Sequence, residues 1–121
     1  RRLLTRVCDV MKKDNLPVCG PDASFRDVVN SITYGRIGLT LVMSNGELEG
    51  IITDGDLRRS FENEKSIQEI QAKNIMTSTP LTTKPDVRLT EVESFMRERK
   101  VSALVVVNES SNVLGVLQIF D

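Results

Sequence analysis

The chain carries nearly the same short phrase twice, and this internal repeat is the strongest constraint on its fold. The sequence GIITDGD occupies residues 50–56 and GVLQIFD occupies residues 115–121, so the first glycine and the last aspartate each recur 65 positions later. The same offset relates Met11 to Met76. A two-fold repeat predicts two copies of one supersecondary unit, because a single copy cannot easily bury its apolar face alone. Two copies also imply two related clefts, whose differences bear on function.

The composition excludes several classes of function. A chain of 121 residues, 40% apolar and 27% charged, is long enough for a compact domain with a real core. A net charge of −1 and only five aromatic residues, four Phe and one Tyr, argue against a nucleic-acid partner. No apolar run is long enough to span a membrane. The chain has no histidine, which removes imidazole catalysis and histidine-ligated metals, so neither an active site nor a metal site is expected.

The cysteines and the chain ends give the expected context of the protein. Cys8 and Cys19 form no CxxC motif, and they are predicted to be buried or half-buried free thiols of a cytoplasmic protein. No signal-peptide pattern opens the chain. The sequence begins at Arg1 without a methionine and stops at Asp121. Both ends are therefore expected to be cuts in a longer protein, with the last helix of the second copy missing.

Apolar periodicity and turn chemistry predict the order strand, helix, strand, strand, helix in each copy, which is an α+β architecture. Ser24 is the expected N-cap of the first long helix, and residues 90–93 (TEVE) are read as the capping box of its counterpart. The dipeptide NG at residues 45–46 predicts a tight hairpin. The predicted division is residues 1–61 for a first helix and the first copy, 62–71 for a linker, and 72–121 for the second copy.

This order, together with GIITxxD at residues 50–56, resembles a tandem pair of cystathionine-β-synthase (CBS) domains, also called a Bateman module, with two β-α-β-β-α repeats about a pseudo-two-fold axis. More narrowly, residues 49–59 and 113–121 resemble the C-terminal region of D-arabinose-5-phosphate isomerases of the KpsF type. Residues 3–11 resemble the segment that follows their sugar-isomerase (SIS) domain. The resemblance implies that this catalytic domain lies upstream and is absent here. The family interconverts arabinose 5-phosphate and ribulose 5-phosphate on the route to the sugar acid Kdo.

The repeated motif has the groups that a nucleotide site needs. Gly50 is expected to permit close approach of a ligand to the strand. Thr53 stands where strand meets helix, and its hydroxyl can donate to a phosphate or cap the helix. Asp56 can accept from both ribose hydroxyls, or it can serve only the helix terminus. The resemblance implies the ribose role for Asp56 and the phosphate role for Thr53.

The second copy departs from this pattern, because Gln118 stands in the place of Thr53 while Asp121 is retained. The two clefts are therefore expected to be unequal, with the cleft at Thr53 and Asp56 the better nucleotide site. Arg58 and Arg59 are candidates to bind a phosphate or a sugar-acid carboxylate, or they belong to a solvated helix face. Residues Thr77, Ser78 and Thr79 are candidates to line the cleft or simply form a polar turn.

The resulting prediction is a regulatory nucleotide-binding module with no required cofactor, and CMP-Kdo, AMP or ATP as the ligand. The resemblance also implies self-association as a CBS-pair dimer and attachment to the SIS domain. The alternative is an interaction module that assembles the isomerase without any ligand. Catalysis within these residues is not expected.

Overall fold

The structure is a computed structural model, and it describes residues 4–62 and 66–119. The short helices and strands alternate in the same order in both halves of the chain. In chain order the elements are α1 (Val7–Val10), β1 (Val18–Cys19), α2 (Phe25–Gly35), β2 (Leu39–Ser44), β3 (Glu47–Thr53), α3 (Asp54–Ser60), a 3₁₀ turn (Ile67–Glu69), α4 (Ala72–Ile75), β4 (Thr82–Thr83), α5 (Leu89–Arg99), β5 (Ala103–Val107) and β6 (Val113–Gln118). The predicted α+β class is confirmed.

The chain forms two compact units that do not follow the repeats in sequence. The central unit is Asn15–Pro80, and the terminal unit joins the residues up to Asp14 with those from Leu81 onward. The central unit therefore includes α4, which opens the second repeat in sequence, whereas the terminal unit includes α1, which precedes the first repeat. Each unit is thus completed by a short helix that lies in the other half of the sequence.

Each unit contains one three-stranded sheet with the same topology. In the central unit the order is β1-β2-β3, with β1 parallel to β2 and β3 antiparallel to it. In the terminal unit β4, β5 and β6 repeat this arrangement. The Asn45-Gly46 turn joins β2 to β3 with positive φ at both residues, as a tight hairpin requires. The hairpin prediction is therefore confirmed.

Apolar residues from the helices and strands form a separate core in each unit. In the central unit Val28 and Ile32 of α2 pack with Val42 and Ile52 of the sheet and with Ala72 of α4. The core of the terminal unit is built in the same way, and its buried members are Val7, Leu89, Val92, Met96, Leu104, Val106 and Leu117. The helical spacing of apolar residues thus identifies the faces that are buried.

The two long helices begin differently, and one predicted cap is wrong. Ser24 caps α2 as predicted, since its hydroxyl accepts from the backbone N–H of Asp27. The expected capping box at residues 90–93 does not form, because Arg88 occupies the N-cap position and Thr90 already lies inside α5. The backbone N–H of Leu89 instead donates to the carbonyl of Thr5, and Leu89 is buried. The buried leucine therefore fixes the first turn two residues earlier than the capping pattern indicated.

Both cysteines are free thiols, as predicted, but their exposure differs. Cys19 is half-buried in the central unit, whereas Cys8 is exposed, so the prediction that both thiols are at least half-buried is wrong for Cys8. Burial raises the pKa of the Cys19 thiol, a hydrogen bond with Thr40 opposes this change, and the charge of Asp27 adds to it.

Candidate functional site

Thr53 and Asp56 lie together where β3 passes into α3, and they hold the start of that helix. The Thr53 hydroxyl accepts from the backbone N–H of Asp56 at 3.2 Å. In return, the backbone N–H of Thr53 donates to Asp56 Oδ2 at 2.9 Å. This reciprocal capping box explains why a threonine and an aspartate three residues apart are needed here, whatever else they bind. It also fixes the carboxylate at the end of the sheet.

Arg59 is a third member of this site. Its guanidinium Nη2 donates to Asp56 Oδ1 as an ion pair across one helical turn. The Asp56 side chain is only 8% exposed, whereas the Arg59 side chain is 68% exposed. A largely buried carboxylate is thus compensated by a cation that reaches in from solvent. The sequence marks Arg59 as a candidate contact for an anion but does not predict its ion pair with Asp56, although an acid and a base three residues apart on a helix are a signal for such a pair.

Gly50 is the point at which another segment of the chain approaches β3. A Cβ at this position would lie 2.6 Å from the carbonyl oxygen of Thr77 and 2.7 Å from the sulfur of Met76. Thr77 also forms two backbone hydrogen bonds with Ile51, of 3.1 and 2.8 Å. The chain itself therefore approaches the strand at Gly50, and contact of this glycine with a ligand stays a prediction. The glycine is required so that the segment after α4 can close the edge of β3.

The same closure brings the segment Thr77–Thr79 to the edge of the candidate site. Thr77 pairs with Ile51, and Thr53 follows two residues later on the same strand. Thr77, Ser78 and Thr79 are all exposed. Arg58 is also exposed, and its side chain makes no hydrogen bond or ion pair with the part of the chain that the structure describes. The structure thus places Thr53, Asp56 and Thr77 along one edge, with Arg58 on the outer surface of α3.

In the terminal unit another segment of the chain approaches a glycine of the last strand in the same way, with different side chains. A Cβ at Gly115 would lie 2.6 Å from the carbonyl oxygen of Lys12 and 3.0 Å from the sulfur of Met11. Lys12 forms two backbone hydrogen bonds with Val116, of 2.9 and 2.8 Å. Gln118 is half-buried at the end of β6. Asp121 lies outside the described residues.

Lys12 in the terminal unit holds the place that Thr77 holds in the central unit. Each residue follows a methionine that covers a glycine, and each pairs with the residue after that glycine. Sequence reasoning did not single out Lys12, although the 65-residue offset that relates Met11 to Met76 also relates Lys12 to Thr77. The two edges therefore differ both at the end of the strand, where Gln118 replaces Thr53, and beside it, where Lys12 replaces Thr77.

The described residues provide neither a metal cluster nor a membrane span. In residues 4–62 and 66–119, no group of three or more His, Cys, Asp or Glu side chains is arranged to hold a metal ion. Over these ranges no helix has both the length and the apolar character needed to cross a bilayer.

Curated relatives resemble this chain over its whole length. Arabinose 5-phosphate isomerase KpsF of Escherichia coli is 47% identical over 100% of the chain. A probable arabinose 5-phosphate isomerase of Haemophilus influenzae is 42% identical over 98% of the chain, and KdsD of Escherichia coli K12 is 33% identical over 100%. The chain spans 37%, 35% and 37% of these relatives, respectively, so it corresponds to only about a third of their length.

Solved structures of CBS domains have the same fold. The CBS domain of NE2398 gives a TM-score of 0.79 at 27% identity, covering 86% of this chain and 81% of that one. The CBS domain pair of MJ0100, solved with 5′-methylthioadenosine and S-adenosyl-L-methionine, gives 0.84 at 22% identity, covering 95% and 90%. CBSX2, solved in complex with AMP, gives 0.78 at 22% identity, covering 93% and 89%.

The family assignment rests on the match of the family profile to both repeats. The profile described as "CBS domain" matches residues 7–63 and again residues 72–121. These two ranges contain the repeated phrases, the two sheets and both close approaches at glycine. The resemblance seen in the sequence is therefore confirmed: the chain belongs to the CBS domain family and carries two copies of the domain.

Proposed function

We propose that this chain is the regulatory CBS pair of a sugar-phosphate isomerase that interconverts arabinose 5-phosphate and ribulose 5-phosphate in the Kdo pathway. The observation that carries the proposal is the 47% identity to KpsF over the whole chain, although the chain spans only 37% of that relative. In this proposal the catalytic SIS domain lies outside the chain, and the parent protein is cytoplasmic. An isomerase assay on this chain alone should give no turnover.

We further propose that the edge formed by Thr53, Asp56 and Thr77 binds a nucleotide. The carboxylate of Asp56 accepts one protein hydrogen bond at each oxygen, and each oxygen has a second lone pair for a ribose hydroxyl. Two solved CBS structures with this fold hold adenosine derivatives, which supports a nucleotide as the class of ligand. Thr53, Thr77, Ser78 and Thr79 provide hydroxyl groups for the phosphate or base.

CMP-Kdo is the proposed physiological ligand, with AMP and ATP as the generic alternatives. An activated end product is suited to feedback control of an early isomerase. Its effect would be a coupling free energy between ligand site and catalytic domain, typically about 1–3 kcal/mol. No required cofactor and no metal enter this proposal.

A thermal-shift screen with CMP-Kdo, CMP, AMP and ATP tests the proposal. A ligand that binds only the folded chain stabilises it by about 2.7 kcal/mol at a hundred times its dissociation constant. One of the four compounds should therefore raise the unfolding temperature in a concentration-dependent way. If none does so up to millimolar concentration, nucleotide sensing is contradicted.

A calorimetric titration locates the site. The Asp56→Ala variant should lose most of the affinity for the active compound, because the ribose acceptor is removed. The Asp121→Ala variant should retain it, because the cleft that contains Gln118 lacks the threonine. Equal losses in both variants would contradict the proposed inequality of the clefts.

Ligand-independent self-association is the second candidate function, and exposed aromatic residues favour it. Tyr34 and Phe61 are 75% and 60% exposed in the central unit, and Phe61 meets the ring of Phe25 edge to face. Exposed apolar rings of this kind are common at protein interfaces. Sedimentation of the chain with and without nucleotide separates the two functions, because a dimer that is indifferent to every nucleotide indicates assembly alone.

A further inference from the structure

The ion pair between Arg59 and Asp56 lies at the proposed ribose acceptor. Arg59 Nη2 donates to Asp56 Oδ1, so the cation occupies one side of the carboxylate that the proposed ligand would use. The other oxygen is held by the backbone N–H of Thr53 at 2.9 Å. A ribose that binds both carboxylate oxygens must therefore share Oδ1 with the guanidinium or displace it.

Gly55 lies beside the guanidinium in the first turn of α3. A Cβ at this position would lie 3.4 Å from Arg59 Nη1 and 3.6 Å from the hydroxyl oxygen of Thr53. The Arg59 cation and the Thr53 hydroxyl thus border the same residue, which places them side by side at the site. Any group that approaches the Thr53 hydroxyl from this side also meets the charge of Arg59.

The two partners of this ion pair differ in their freedom to move. Asp56 is 8% exposed and held by the capping box, whereas Arg59 is 68% exposed at the end of a long side chain. The carboxylate is thus the fixed partner, and the guanidinium is the partner that can swing to another anion. A neutral ligand that takes the carboxylate removes the compensating cation from a largely buried charge. A ligand with its own anionic group gives the displaced guanidinium a new partner.

We infer that Arg59 determines specificity at this site, selecting ligands that carry an anionic group as well as a vicinal diol over neutral nucleosides. This inference rests on the proposed nucleotide function and deepens it. The observed ion pair between Arg59 and Asp56, and not the terminus of α3, is the feature on which this role rests.

Binding of AMP and of adenosine to the wild-type chain and its Arg59→Gln variant tests this role. The wild-type chain should prefer AMP by about tenfold, since a phosphate gains a charge-assisted partner. In Arg59→Gln the preference for AMP should largely disappear. Adenosine then no longer competes with a cation for the Asp56 carboxylate, and the phosphate of AMP loses the guanidinium as its partner. The Arg59→Lys variant keeps the charge and should retain part of the preference, and it also serves if the glutamine variant folds poorly.

Arg26→Gln is the matched control, because it removes an equal charge from an exposed residue of α2 in the same unit. Its preference for AMP should equal that of the wild-type chain. An unchanged preference in Arg59→Gln, or an equal loss in Arg26→Gln, overturns the role of Arg59 while leaving nucleotide binding intact. If the wild-type chain binds neither AMP nor adenosine, both this role and binding of adenine nucleotides are overturned.

Discussion

The central and terminal units are built alike but differ where a ligand would be bound. In each, a glycine on the last strand lies against a methionine and a backbone carbonyl, and the residue after that methionine pairs with the strand. The side chains beside this closure have diverged: Thr53 and Thr77 in the central unit correspond to Gln118 and Lys12 in the terminal unit. The close approach at glycine is therefore a property of the fold, whereas the polar residues beside it are free to differ between the two units.

Alanine variants of Gly50 and Gly115 test whether both units depend on the close approach at glycine, and we expect them to lose the most stability. Gly50→Ala should destabilise the chain by about 1–3 kcal/mol, because its methyl group would press on a backbone carbonyl that cannot easily move. Gly115→Ala should cost a similar amount in the terminal unit. Urea unfolding of each variant gives the free energies.

Gly20→Ala is the control for these variants, since a Cβ at Gly20 meets no atom within 4 Å. It should leave the free energy of unfolding within about 0.5 kcal/mol of the wild-type value. A Gly115→Ala variant as stable as Gly20→Ala would show that only the central unit depends on close approach.

A smaller loss of stability is expected from the difference in capping between α2 of the central unit and α5 of the terminal unit. Ser24→Ala should lower the free energy of unfolding by about 1 kcal/mol, because α2 loses a side-chain cap. Arg88→Ala should cost less than about 0.5 kcal/mol, because Arg88 provides no side-chain cap to α5. Thermal and urea unfolding of the pair measure both values. Equal costs would contradict the difference in capping between the units.

The smallest effect concerns the two thiols. Because burial raises the pKa of Cys19 in the folded chain, its stabilising contribution is complete at neutral pH and is lost as the pH rises through that raised value. The unfolding free energy of Cys19→Ala should therefore fall less at alkaline pH than that of the wild-type chain.

Mass spectrometry should show faster alkylation of the exposed Cys8 than of the half-buried Cys19. Faster alkylation of Cys19 would contradict its burial.

Much of the fold could be predicted because its signals are local. The hairpin at residues 45–46, the cap at Ser24 and the buried faces of α2 and α5 all follow from short patterns. The start of α5 could not be read in this way, because burial of Leu89 and a hydrogen bond to Thr5 decide it over a long separation in sequence. For the same reason the sequence did not reveal that each unit is completed by a helix from the other half.

The candidate site was predictable in its residues but not in their partners. Thr53 and Asp56 stand out in the sequence, and the structure places them in one capping box. What covers Gly50 could not be predicted, because Thr77 is close to it only in three dimensions. The ion pair of Arg59 depends on the rotamer of a long side chain, which a sequence pattern does not specify.

We propose that the two clefts are unequal because of the residue at the end of the last strand. The decisive measurement is calorimetric titration of the ligand identified by thermal shift into Thr53→Gln, Thr53→Ser and Gln118→Thr. We expect Thr53→Gln to lose at least about tenfold in affinity, a loss of about 1.4 kcal/mol, while Thr53→Ser keeps the hydroxyl and most of the binding. Gln118→Thr should leave the original site unchanged. Wild-type affinity in Thr53→Gln, or an equal loss in Gln118→Thr, would contradict the account.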